Sequence, residues 1–111
     1  MDYDHNVYYN PASWGMEIFA ELDNPNLSYE YETLIVLKHV ESGKFYWAHD
    51  SGCSCPTPFE DYGKLEDLTA LTQQTFADFE SEVKDFGYEP ELMVAEKQDI
   101  VRKVKAALRS K

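Results

Sequence analysis

The sequence predicts an α+β fold: an antiparallel sheet of three or more strands covered by two C-terminal helices. Residues 15–50 carry period-two and β-branched runs punctuated by turn signals. Residues 75–108 carry two apolar stripes at helical spacing. Strands come first and helices follow, the order of an α+β chain and not of alternating βαβ units.

The first strand is expected over 15–23, where Met16, Ile18, Ala20 and Leu22 alternate with Glu17, Phe19 and Glu21 and the turn residues Asn24-Pro25-Asn26 follow. Strict alternation puts those four apolar side chains on one face. The second strand, 29–40, contains Thr33-Leu34-Ile35-Val36-Leu37, apolar on both faces, as in the middle of a sheet. Ser42-Gly43 reads as a two-residue hairpin turn, with Glu41 facing Lys44 and, in the same register, Lys38 facing Trp47 and Val36 facing His49. Gly52, Pro56, Pro58, Cys53 and Cys55 make 50–61 a loop, and 65–71 reads as a short helical turn.

Phe76, Phe79, Val83 and Phe86 form one stripe of a helix over 75–86, stopped by Gly87. A second helix over 94–108 places Ile100, Val101, Val104, Ala107 and Leu108 inward and leaves Lys97, Arg102, Lys103, Lys105 and Arg109 to water. With 111 residues the chain is expected to be a single domain, 1–111. Its parts are an irregular segment 1–14, a sheet 15–50, a Cys/Pro loop 51–64, and a helical part 65–111 with a basic tail.

Charge is the strongest functional signal. The chain has 21 acidic and 10 basic residues, and 1–96 hold 20 of the acids but only 4 of the bases. A net charge of −11 repels nucleic acid and anionic membranes and selects basic protein surfaces. Direct nucleic-acid binding and membrane association are therefore not expected. No run approaches the ~20 apolar residues of a membrane span, and the first twenty residues lack a basic, then apolar leader. Two cysteines provide no disulfide framework, which suits the cytoplasm. Glu66, Asp67, Asp78, Glu80, Glu82 and Asp85, continued by Glu89 and Glu91, are the candidate partner-binding residues: carboxylates in rows imitate a phosphate backbone.

Chemically able side chains concentrate at 49–62. His49, Cys53 and Cys55 supply three of the four ligands a zinc ion takes, with His5, His39 or a carboxylate as the fourth, although the lone C-x-C spacing is not that of a zinc finger. Residue types alone also allow a cysteine nucleophile with His49 as base and Asp50 or Asp61 to orient it, although a loop packed on the sheet edge is the favoured reading. The chain has no phosphate-binding glycine loop, G-x-S-x-G or H-E-x-x-H, which weighs against an enzyme and leaves no catalytic residue to name.

The stretch from Asp50 to Tyr62, DSGCSCPTPFEDY, resembles a family of small proteins from actinobacteriophages and related prophages, as do Phe45-Tyr46-Trp47-Ala48 and Val7-Tyr8-Tyr9-Asn10-Pro11. The likeness covers most of 7–72. It implies a phage origin and a single-domain fold in the cytoplasm of an infected bacterium, and no established activity. The expectation is a non-enzymatic phage accessory protein that binds a host protein through acidic charge. The alternative is a small zinc-stabilised domain built on His49, Cys53 and Cys55.

Overall fold

The computed structural model describes residues 5–24, 30–53, 58–88, 91 and 93–109. The chain forms two compact units, Met1–Ala70 and Leu71–Lys111. The fold is α+β, with a four-stranded antiparallel sheet and two C-terminal helices. The strands are β1 (Met16–Asp23), β2 (Glu30–His39), β3 (Phe45–Cys53) and β4 (Thr69–Leu71), hydrogen-bonded in that order. The short connections 24–29 and 40–44 make β1, β2 and β3 antiparallel neighbours, and β4 joins beside β3 after the longer segment 54–68.

β2 is interior to the sheet, and its residues 32–37 are all buried, so both faces of the strand are covered. β1 meets this demand by a route the alternating pattern does not announce. Its register slips between Ile18, opposite Leu37, and Ala20, opposite Val36. The extra residue of the bulge is Phe19, whose ring packs edge-on against Phe45 with centroids 5.0 Å apart. Met16 and Ile18 therefore share the face of Ile35 and Leu37, whereas Ala20 and Leu22 share that of Leu34 and Val36. The single apolar face expected for β1 is corrected to two.

The β2–β3 hairpin also departs from its expected register. Lys38 faces Phe45, Val36 faces Trp47 and Leu34 faces His49, two residues away from the pairing that a Ser42-Gly43 turn demands. The loop is Val40–Gly43, closed by His39 N–H on Lys44 O at 2.8 Å and by Gly43 N–H on His39 O at 2.7 Å. A two-residue turn needs either glycine in its first position or positive φ at both. Serine precedes glycine here, whereas the longer loop needs positive φ only at Gly43, where φ is 75°. His39 Nδ1 accepts Ser42 N–H at 3.2 Å, and Ser42 Oγ accepts Lys44 N–H at 3.2 Å, so the loop satisfies its own polar groups. Glu41 and Lys44 are not a cross-strand pair.

β3 runs to Cys53, so Asp50, Ser51, Gly52 and Cys53 are strand residues and not the start of a loop. Likewise, residues 65–71 are a 3-10 turn, Leu65–Asp67, followed by β4. Val7, Met16, Ile35, Leu37, Ala48, Phe59 and Leu68 form a buried cluster in this unit, with Tyr8, Trp14, Ile18, Tyr46 and Tyr62 packed against it.

In the second unit the helices are α1 (Phe76–Asp85) and α2 (Val94–Arg109), which pack against each other. Phe79 and Val83 on α1 and Ile100, Val104 and Leu108 on α2 are buried, as the stripes predict. Gly87, with φ 81°, ends the first helical run. Lys97 reverses the expectation that it faces water. It is only 6% exposed, and its Nζ donates to Lys84 O at 3.1 Å and Phe86 O at 2.8 Å. The ammonium thus caps carbonyls at the negative end of α1, where a cation is stabilised by the helix dipole.

Candidate functional site

The sequence directs attention to 49–62, and there the described residues form an anchor. Asp50 lies on β3 opposite Thr33. One of its carboxylate oxygens accepts the Tyr31 hydroxyl at 3.0 Å and Phe59 N–H at 2.7 Å; the other accepts Ser51 N–H at 3.0 Å. Phe59 is fully buried with φ 63°, a left-handed conformation that costs a non-glycine residue about 1–2 kcal/mol. Its ring lies 5.6 Å from that of Tyr8 and 5.3 Å from that of Tyr62, centroid to centroid. Burying a phenylalanine side chain contributes roughly 1.5–3 kcal/mol, enough to offset the backbone strain.

Asn6, 5% exposed, fixes the same segment from the N-terminal side. Its Nδ2 donates to Pro58 O at 3.0 Å, while its Oδ1 accepts Tyr8 and Tyr9 N–H at 2.8 and 3.0 Å. Gly52 faces Tyr31 across the ladder, and a Cβ there would lie 3.3 Å from the Tyr31 oxygen. Asp50, Gly52, Phe59 and Tyr62 of the motif are therefore explained by packing and hydrogen bonding. Burial, together with the hydrogen bond to Asp50 and its charge, pushes the Tyr31 phenol up to about 12. Burial also raises Tyr62, with Asp50 and Asp67 adding to it.

On the opposite face of the sheet, His49 Nε2 lies 3.1 Å from Glu32 Oε2, and Glu32 is 3% exposed. Asn24 Nδ2 donates to the other Glu32 oxygen at 3.1 Å. The expected zinc ligands are placed only in part: Cys55 and the Cys53 side chain lie outside the described residues. On the backbone, Cys53 sits four residues beyond His49 in the same strand, about 13 Å away at the strand rise. Among the described residues, no group of three or more His, Cys, Asp or Glu side chains is arranged to hold a metal ion.

The expected partner-binding carboxylates fall on both units. Glu66 and Asp67 are exposed on the 3-10 turn of the first; Asp67 accepts Gly63 and Lys64 N–H, and the Gly63 bond leads the effects that hold its carboxyl below the usual range. Asp78, Glu80, Glu82 and Asp85 lie on α1. At 100° per residue Asp78, Glu82 and Asp85 make one stripe, and Glu80 points some 160° away from Asp78. The four do not form one row. Glu89 lies outside the described residues.

Residue counts by unit locate the acidity elsewhere. Residues 1–70 hold 13 acids and 3 bases, and 71–111 hold 8 and 7. Among the described residues of the first unit nine carboxylate residues are exposed, including Glu17, Glu30, Glu41, Glu60, Asp61 and Glu66. The sequence boundary between the acidic stretch 1–96 and the basic tail falls inside α2 and so does not coincide with the boundary between the units.

Fold and surface define a small acidic α+β protein whose most distinctive loop is an architectural anchor. The chain belongs to a family described as a domain of unknown function, DUF7574, whose model matches residues 5–111 and so includes residues of both units. No curated protein and no solved structure gives a significant match. Among the described residues no helix is long and apolar enough to cross a membrane.

Proposed function

We propose that this chain is a non-enzymatic accessory protein of bacteriophage origin that binds a host protein in the cytoplasm of the infected bacterium. The observation that carries the reading is the charge of the sheet unit, with nine exposed carboxylate residues against two exposed lysines, Lys44 and Lys64, among the described residues. A field of that sign steers a basic surface toward it and turns nucleic acid away. A basic nucleic-acid-binding protein, whose phosphate site the carboxylates would occupy, is the partner class this charge selects.

The test is capture from an actinobacterial lysate with the wild-type chain and with a Glu60→Lys, Asp61→Lys, Glu66→Lys variant. The expected result is a defined basic protein retained at about 50 mM salt, released near about 0.5 M where the Debye length shrinks to a few ångströms, and lost with the variant. Equal retention by the variant, or no specific partner at low salt, overturns the reading.

A further inference from the structure

The C-terminal unit carries a feature of opposite character. Between α1 and α2 runs an open groove of about 800 Å³, lined along α1 by Ala77, Glu80, Ser81 and Lys84 and along α2 by Val94, Gln98, Val101, Arg102 and Lys105. On α2, Val94, Gln98, Val101 and Lys105 follow one another at spacings of four, three and four, a single stripe along the helix. Val94 is 45% exposed, an aliphatic side chain left to solvent at the groove. The cations Lys84, Arg102 and Lys105 are all exposed, with one carboxylate, Glu80, among the lining residues; Lys97 also reaches the lining but is committed to the α1 carbonyls. Arg102 holds Asp99 at 3.1 Å, an ion pair of which both side chains are at least 70% exposed.

We propose that this groove docks an acidic amphipathic segment of a partner protein. Aliphatic side chains of the segment cover Val94 and Val101, and its carboxylates meet Lys84, Arg102 and Lys105. Charge complementarity selects this occupant. Three exposed cations gather in a chain of net charge −11, in a unit that is itself close to neutral. An apolar floor between cationic rims suits a short helix with one greasy and one acidic face. A polyanion such as nucleic acid has no aliphatic side chains to set against the valines.

The test uses the full chain, isotopically labelled, with three fluorescent probes: a 14-residue Leu/Glu amphipathic peptide, the same peptide with Lys in place of Glu, and a single-stranded 8-mer of DNA. The expected result is saturable binding of the acidic peptide alone, with a Kd below about 1 mM, as befits a small interface. Amide shifts should centre on 77–84 and 94–105. Each of Lys84→Gln and Lys105→Gln should weaken binding about two- to five-fold, the worth of an exposed ion pair. Val101→Asp should abolish it. Absence of binding, equal binding of the DNA, shifts confined to other residues, or indifference to both lysine variants overturns the proposal. Because the peptide is a defined probe, its failure is separate from failure of the host-protein capture.

Discussion

Replacing Asp50 by alanine tests the anchor. The carboxylate accepts three hydrogen bonds, and two of its partners have little other recourse: the Phe59 N–H belongs to a fully buried residue, and the Tyr31 hydroxyl is half-buried. Leaving a buried donor unmet costs about 1–3 kcal/mol, and losing the Tyr31 bond about 1 more, so Asp50→Ala should cost about 2–4 kcal/mol. The Asp50→Asn variant keeps one oxygen but turns an amide NH₂ toward backbone donors, and we expect a cost of about 1–2 kcal/mol. Tyr31→Phe alone should cost about 1 kcal/mol, and nothing further in the Asp50→Ala background, so the cycle returns a coupling near 1 kcal/mol. The chain's two tryptophans, Trp14 and Trp47, both lie in the first unit, so urea unfolding followed by their fluorescence reports on that unit alone. A loss below about 0.5 kcal/mol for Asp50→Ala, or strict additivity with Tyr31→Phe, refutes the anchor.

The same bond sets an alkaline limit. The folded Tyr31 phenol sits at about 12 against an ordinary 10, so its contribution is complete below pH 10 and is lost as pH rises from 10 to 12; Tyr31→Phe should flatten the fluorescence-monitored stability curve across that window. Lys97→Met should cost about 1–3 kcal/mol by leaving two carbonyls without their donor, read as helix melting by circular dichroism; no change would mean the cap is energetically idle. Deleting Phe19, the extra residue of the bulge, leaves Ile18–Leu37 and Ala20–Val36 as successive pairs of a regular ladder, so the sheet should still fold, and both this deletion and Phe19→Ala should cost about 1–2 kcal/mol through the lost ring contact; a deletion variant that fails to fold would refute the bulge. Chelator should leave the melting temperature unchanged, because His49 Nε2 faces Glu32 and Cys53 lies about 13 Å along the strand; one zinc per chain would reverse that.

What the sequence disclosed follows from which interactions are local. Both helices, and β2 as an interior strand, were legible because stripe spacing and a long β-branched run are properties of neighbours in the chain. The hairpin register was not, since Ser42-Gly43 resembles a two-residue turn until the φ demands of such turns are applied to serine. Nor was the bulge at Phe19, because a period-two pattern looks the same whether one face or two are being filled. β4 has three residues, too few for any period to show. Lys97 was misjudged because charge outweighs position in a helical pattern; its place beside Ile100 and Val104 on the buried stripe was available, but its carbonyl partners come from another element. The Asp50–Tyr62 motif stood out through its unusual residue types. What it does depends on Asn6 and Tyr31, 52 and 19 residues away from their partners, and no local pattern joins them.

The separation of charge between the units decides how the two proposed activities must be told apart. Salt weakens both the binding of a basic protein to the acidic sheet unit and the binding of an acidic segment to the α1–α2 groove, so salt sensitivity alone assigns neither. The variants do. Glu60→Lys, Asp61→Lys and Glu66→Lys change only the first unit, and Val101→Asp changes only the floor of the groove in the second. If the two surfaces act independently, the first set removes the captured host protein and leaves peptide affinity within about two-fold, and the second does the reverse, as expected for sites without shared partners. A loss of both activities by either change would mean that one partner spans the two surfaces, and the chain would then be a clamp for a single dipolar protein and not a carrier of two separate sites.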